Sequence, residues 1–213
     1  MFAENQTDLD LFCHRNGLAD TEAGALARYI EMLERWSQRT NLISQQDQRR
    51  LVRRHIADSF AFASPSIIPA GAAVLDLGSG AGFPGIPLAL WRSDLQITLL
   101  DAKRMRTLFL REVVEQLHLR NAVIVCDRVE ALAKQKCFFT VVTARAVASV
   151  GQLWEWSRPL LQPGGRLVTQ KGRGEATGID PALQIREVEI VDSESNSVIL
   201  VVQEGGRGEE HGV

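Results

Sequence analysis

AVLDLGSGAGFPG, residues 73–85, is the stretch on which the fold turns. Apolar residues run into Asp76, and Gly78, Gly80, Gly82 and Gly85 then interrupt the chain, the pattern of a buried strand ending in a tight glycine-rich turn. A helix-compatible segment follows. Strand, glycine turn and helix together make a nucleotide site in a parallel α/β sheet, because glycine admits positive φ and lets the backbone approach a ligand without a Cβ clash. A tight strand-to-helix turn with no ligand role is the plain alternative.

Outward from the turn, apolar runs at 74–77, 97–100, 122–125, 139–143 and 166–170 alternate with helical segments, which predicts a parallel sheet with right-handed crossovers. The clearest helix is 103–117, with Met105, Leu108, Phe109, Val113 and Leu117 on one stripe. Trp154 and Trp156 fall in a helix before Pro159. Ile185–Val191 and Ser197–Val202, joined by DSESN, read as a closing β-hairpin, unlike the second half of a dinucleotide fold. Residues 204–213 are expected to fray.

Toward the N-terminus, residues 8–16 suit a short helix stopped by Gly17. Asp20 or Thr21 caps the next, whose Leu26, Tyr29, Ile30, Leu33 and Trp36 recur at helical spacing to about Thr40. A third helix, 47–63, carries Arg49, Arg50, Arg53 and Arg54 on one flank, either a solvated face or an RNA-facing one. SPSIIPAG, residues 64–71, is the connector into the sheet. The expected division is a helical extension over 1–70, a catalytic domain over 71–203 and a tail.

With 24 basic and 26 acidic residues among 213, net charge −2, no global pull toward nucleic acid exists, so any RNA surface must be local. No apolar run is long enough to span a membrane, and the acidic N-terminus is unlike a signal sequence, which favours a cytoplasmic protein. Cys13, Cys126 and Cys137 lack a C-x-x-C pair and are expected as buried free thiols. His14, His55, His118 and His211 are scattered as surface or capping residues, so no metal is expected. A monomer is the expected state.

The glycine spacing is G-x-G-x-G rather than the G-x-G-x-x-G of NAD sites. Asp76 puts a carboxylate beside the turn, where a pyrophosphate is repelled and the cationic sulfonium and ammonium of S-adenosylmethionine are favoured. Asp101 closes the second strand, placed to accept from ribose hydroxyls, to cap the following helix, or both. Asp127 and Glu130 follow the third strand, where an acid meets an adenine amino group and Val129 covers the ring, or where the loop is simply solvated. Arg145 follows the fourth strand and reaches a cofactor carboxylate, an RNA phosphate or a surface ion-pair partner. A nicotinamide-dependent oxidoreductase and a non-catalytic RNA- or nucleotide-binding module are the competing classes; the hairpin and the lack of a Tyr-x-x-x-Lys pair argue against the first.

DLGSGAGFPGIPLAL (76–90), LLDAKRMRTLFL (99–110), DRVE (127–130), TARAVAS (143–149) and PGGRLVTQKG (163–172) resemble the bacterial 16S rRNA guanine-N7 methyltransferases, the glucose-inhibited division protein B family. NLIS (41–44) and RRHIADS (53–59) add to the resemblance, which spans about residues 20–202. It implies a class I S-adenosylmethionine-dependent, Rossmann-like α/β fold with a small N-terminal helical extension, and methylation of 16S rRNA in the small ribosomal subunit at the family's guanine-527. Gly78, Phe83, Val129, Glu130 and Arg145 match positions that hold the cofactor, to which the turn's own geometry adds Gly80. Asn41, Arg54, His55 and Asp58 match motif positions, which turns the arginine segment, Arg53 included, toward rRNA or the mouth of the site; Lys171 is a second phosphate candidate. Ser79 and Ala81 are where the glycine loop departs from relatives.

Two absences fit this chemistry. No N-P-P-Y or D-P-P-Y sequence is present to grip an exocyclic amine, and no Pro-Cys or Thr-Cys nucleophile is placed for a pyrimidine. Guanine N7 needs neither, since its in-plane lone pair is unprotonated at neutral pH. Catalysis is then in-line positioning, with no general base assigned.

Overall fold

The computed structural model describes residues 1–135, 138–145, 147–175, 179–190, 194 and 196–205. One sheet holds seven strands in the order β3-β2-β1-β4-β5-β7-β6, with β1 Ala73–Leu77, β2 Gln96–Leu100, β3 Ala122–Val125, β4 Phe139–Arg145, β5 Leu161–Gly172, β6 Leu183–Glu189 and β7 Ser197–Glu204. β1 to β5 pair in parallel, and β7 runs antiparallel to both neighbours. The expected strands and hairpin are therefore present, with β5 starting five residues early and β4 running on to Arg145. Val191, the expected end of the hairpin's first strand, lies outside the described residues, as does most of the connecting DSESN.

Both faces of the sheet's centre are covered, so β1 and β4 are apolar almost throughout, whereas edge strand β6 is largely exposed. Val74, Ile97, Val141 and Val168 point into a core shared with α1 (Ala3–Asn16), α2 (Asp20–Ser37), α4 (Ala57–Phe62), α5 (Gly85–Trp91) and α6 (Arg104–Gln116). Leu75, Leu77, Leu100, Val142 and Leu167 point the other way, against α7 (Val129–Ala133) and α8 (Val150–Ser157), where Leu132, Leu153 and Trp154 meet them. Each such buried side chain contributes roughly 1.5–3 kcal/mol. In α2 the buried Leu26, Tyr29, Ile30 and Leu33 follow the helical repeat.

The N-terminal segment departs from expectation in three places. α1 begins at Ala3, ahead of the apolar stripe, because Asn5 and Asp8 on its inner face are buried and bonded. α2 is preceded by Ala19, whose N–H donates to the Glu22 carboxylate at 2.9 Å, so Asp20 and Thr21 lie within the first turn and do not cap it. Most consequential, the expected helix 47–63 is broken. α3 (Gln45–Gln48), held by Ser44, is followed by Arg50 at φ −128°, a π-helix Leu51–Ile56 and then α4.

Asn5 accounts for that break. Its amide donates to the Gln48 carbonyl at 2.7 Å and to Glu34 at 2.7 Å, and its oxygen accepts from Leu51 N–H at 3.2 Å. The inserted side chain takes up backbone groups that an unbroken helix pairs internally.

Candidate functional site

The strand order reverses between β1 and β4, and in an open parallel sheet the crevice at the carboxyl ends of such a pair is where ligands bind. Here it is a cavity of about 430 Å³ floored by residues 78–81 and Phe83, with Arg106, Arg145 and Val147 on the sheet side and Leu42, Ile43, Asp47 and His55 opposite.

The floor is set by backbone geometry. Gly78 and Gly80 have φ of +73° and +57°. The N–H groups of Gly78 and Ser79 both donate to Leu100 carbonyl, at 2.8 and 2.9 Å, tying the turn to β2. Gly80 N–H donates to Asp101 at 3.0 Å. Gly82, at φ +97°, leaves no room: a Cβ there would sit 2.6 Å from Ile86 Cγ1 and 2.9 Å from the Tyr29 hydroxyl.

That hydroxyl is the brace from outside the sheet. Tyr29, buried in α2, donates to the Ala81 carbonyl at 2.7 Å, and its ring lies 5.6 Å from that of Phe83. Burial, then the nearby Asp76, pushes its pKa far up, so it remains a donor. Phe83 is accordingly buried, forming part of the crevice floor.

Asp76 is also placed differently from expectation. Its carboxylate turns away from the crevice into the protein, accepting from Gly85 N–H at 3.2 Å and Thr143 hydroxyl at 3.0 Å. Full burial raises its pKa to about 6 against those hydrogen bonds. Its role is to join β1, β4 and the start of α5. Asp101 does not cap α6, whose N-cap is Lys103, but holds the chain entering it: it accepts from Lys103 N–H at 2.8 Å and from Arg106 at 3.2 Å as well as from Gly80, and a carboxylate with two oxygens retains further acceptor capacity.

From the sheet side Arg145, at the end of β4, reaches across to the π-helix and α4 on the opposite wall. It donates to the His55 carbonyl at 3.2 Å and Ser59 at 3.0 Å, pairs with buried Asp58 at 3.4 Å, and lies 3.1 Å from His55 Nδ1. Gln170 of β5 also donates to Asp58, at 2.7 Å. The expected ion pair is thus internal. The imidazole stacks on Phe83 at 5.1 Å and 20°, and the Arg145 guanidinium lies 5.6 Å from the same ring. Burial, then the Arg145 charge, lowers the His55 pKa to about 4. His55 is therefore neutral at pH 7 and no surface residue. Facing a guanidinium, Nδ1 accepts and the proton sits on Nε2, a buried atom with no hydrogen-bond partner.

The other expected site residues are not gathered here. Asn41 is exposed beside the cavity-lining Leu42. Val129 and Glu130 begin α7 beyond β2, and neither lines the cavity. Lys171 donates to the Ala148 carbonyl. The arginines share no basic flank: Arg49 pairs with Glu4, Arg50 with Glu194, Arg53 with Asp8 and Glu194, and Arg54 with Asp47. Only Arg54 turns toward a cavity residue. Cys13 is buried and free as expected, Cys126 is exposed, and Cys137 lies outside the described residues, as does His211. Among the described residues no group of three His, Cys, Asp or Glu could hold a metal ion, and no helix is long and apolar enough to cross a membrane.

A family model described as GidB, rRNA small subunit methyltransferase G, matches residues 22–205. A ribosomal RNA small subunit methyltransferase G from Leptothrix cholodnii is 40 % identical over 166 residues, 76 % of this chain and 75 % of that one. Its counterpart from Neisseria gonorrhoeae is 34 % identical, covering 82 % and 84 %. Among solved structures, a mutant of MtNAS in complex with S-adenosylmethionine superposes with a TM-score of 0.60 at 12 % identity, covering 84 % of this chain and 74 % of the other. An rRNA methylase from Streptococcus thermophilus gives 0.52 at 15 %, covering 72 % and 98 %. The last two bear on the fold alone.

Proposed function

The chain belongs to the rRNA small subunit methyltransferase G (GidB) family, and we propose that its crevice transfers a methyl group from S-adenosyl-L-methionine to N7 of a guanosine in 16S rRNA, at the position corresponding to the family's guanine-527. The observation that carries this reading is the crevice itself: two positive-φ glycines at the carboxyl end of β1, faced by a neutral imidazole stacked on a buried phenyl ring.

The residues present fit the cofactor. The backbone of residues 78–81 lies bare along the cavity, and a Cβ on Gly78 would meet Val147 at 3.0 Å. Gly78, Gly80 and Phe83 would form its floor, with Asp101 holding Gly80 in place and retaining acceptor capacity toward the ribose. Arg145, which lines the cavity beside Phe83 and His55, would reach the ligand's carboxylate. Val129 and Glu130, further along the sheet edge, would meet the adenine end. When bound, S-adenosylmethionine supplies an electrophilic methyl group and a positive charge.

The protein's own task is positioning. A ring nitrogen with a free in-plane lone pair needs no proton removed, so neither acid nor base has to act on it. Holding two reactants in line is worth on the order of 7–11 kcal/mol. Tyr29 and Asp101 fix the adjacent Ala81 and Gly80 of the turn, and Arg145 fixes His55 against Phe83. A neutral His55 adds no charge beside a cationic ligand, while its unspent Nε2–H suits guanine O6, the acceptor adjacent to N7. Asn41, next to Leu42, and Arg54, paired with Asp47, would act on the substrate side.

The test is a modification map. Deleting the gene should remove one N7-methylguanosine from 16S rRNA, and purified protein with S-adenosylmethionine should restore it to small subunits or rRNA from the deletion strain. A map identical with and without the gene would overturn the reading.

A further inference from the structure

Two depressions share their walls at the crevice mouth. The chain leaving α2 lines a groove of about 510 Å³ with Trp36, Arg39 and Thr40, and two residues later lines the crevice with Leu42 and Ile43. The first turn of α6 does the same from the other side, with Met105 in the groove and Arg106 in the crevice.

The groove's chemistry is that of a nucleotide. Its one lining acid, Glu112, is already matched by Arg35 and by the Trp36 indole N–H at 2.9 Å. Arg39 is exposed, as are Lys103 and Arg104 beside Met105, and among the described residues none of the three has an acidic partner. Met105 is 53 % exposed and Leu108, one turn along α6, 41 %, an apolar strip within a cationic rim. Arg49, Arg50, Arg53 and Arg54, by contrast, each have a carboxylate.

We propose that this groove binds the nucleotide next to the target guanosine, single-stranded, with its base against Met105 and Trp36 and the neighbouring phosphates on Arg39, Lys103 and Arg104. The proposal rests on the rRNA-methylation reading and adds where the strand runs: across the start of α6, away from the arginine-rich segment. Base stacking supplies sequence-tolerant affinity, and the cations supply its salt dependence.

Steady-state methylation of small subunits by Arg39→Glu/Arg104→Glu and by Met105→Glu tests it, with Arg120→Glu, a charge reversal at the amino-terminal edge of the sheet, as the control. The groove variants should raise the KM for the subunit at least tenfold, with kcat at saturating subunit and the S-adenosylmethionine Kd within about twofold of wild type. The double variant should lower the salt slope of subunit affinity by about 1.4, near 0.7 per lost single-strand phosphate contact. Wild-type KM and salt slope in these variants, or an equal change in Arg120→Glu, overturns the groove assignment while leaving the methylation reading standing. Absence of transfer by the wild-type protein overturns that earlier reading instead.

Discussion

Replacing Tyr29 by Phe removes one oxygen atom and tests whether the N-terminal helices set the geometry of the glycine turn. The hydroxyl is buried and spends its proton on the Ala81 carbonyl at 2.7 Å, while the ring's contact with Phe83 survives the change. A buried carbonyl left without its donor costs about 1–3 kcal/mol. Taking about 2 kcal/mol, a chain of this length should melt roughly 4–8 °C lower. The strain falls on the cavity floor, so S-adenosylmethionine should bind about 3–10-fold more weakly by calorimetry, a penalty near 1 kcal/mol. A lowered melting temperature with unchanged cofactor affinity would refute the bracing role, and no change in either would refute the hydrogen bond's energetic importance altogether.

Gly82→Ala should be far more damaging than its size suggests, abolishing cofactor binding and lowering the melting temperature, since the new methyl would meet Ile86 and Tyr29 inside 3 Å at a φ of +97°; a fully stable variant that binds normally would contradict this. Gly24→Ala, inside α2 with nothing within 4 Å of the added Cβ, should instead stabilise by about 0.5–1 kcal/mol in urea denaturation. His55, with a folded pKa of about 4 against 6.5, contributes stability that is complete above pH 6.5 and lost as pH falls toward 4, so the stability of wild type relative to His55→Gln should decline over that window; an NMR titration midpoint near 6.5 would disprove it. Asp76 has the opposite sign: its folded pKa of about 6 exceeds 3.8, so its contribution is present below pH 3.8 and lost as pH rises through 6, and wild-type stability relative to Asp76→Asn should fall across that range and level off above it. A pH-independent difference would count against the burial of that carboxylate.

Strands were easily legible because a parallel sheet covered on both faces leaves little room for polar residues, and β3 begins and ends where its apolar run does. The break at residues 49–51 was not, because its cause, Asn5, lies more than forty residues away and looks like an ordinary polar position on α1. The basic flank failed for a related reason: helical spacing was sound arithmetic on a helix that is interrupted, and the acids that neutralise it come from α1, from Asp47 in α3 and from Glu194. Within the site, Gly78, Gly80, Phe83, Asp101, His55 and Arg145 were visible as residue types at strand ends or in quoted motifs. Their partners were harder to see. In sequence Tyr29 is one more apolar residue on α2, and Asp76 an acid beside the turn with no sign of which way its carboxylate faces.

Two of the joints between the N-terminal segment and the sheet end on backbone carbonyls, Ala81 for Tyr29 and His55 for Arg145. A carbonyl oxygen is supplied by whatever residue stands at its position, so mutation can reach these joints chiefly from the donor side. Drift in the sequence should therefore be unevenly tolerated: position 81 can change as far as space allows without undoing the bond it receives, whereas position 29 has almost no alternative, a lysine or histidine being the wrong length or shape for that buried spot. In a saturation-mutagenesis library scored for methylation, position 29 should accept fewer substitutions than the position whose oxygen it holds.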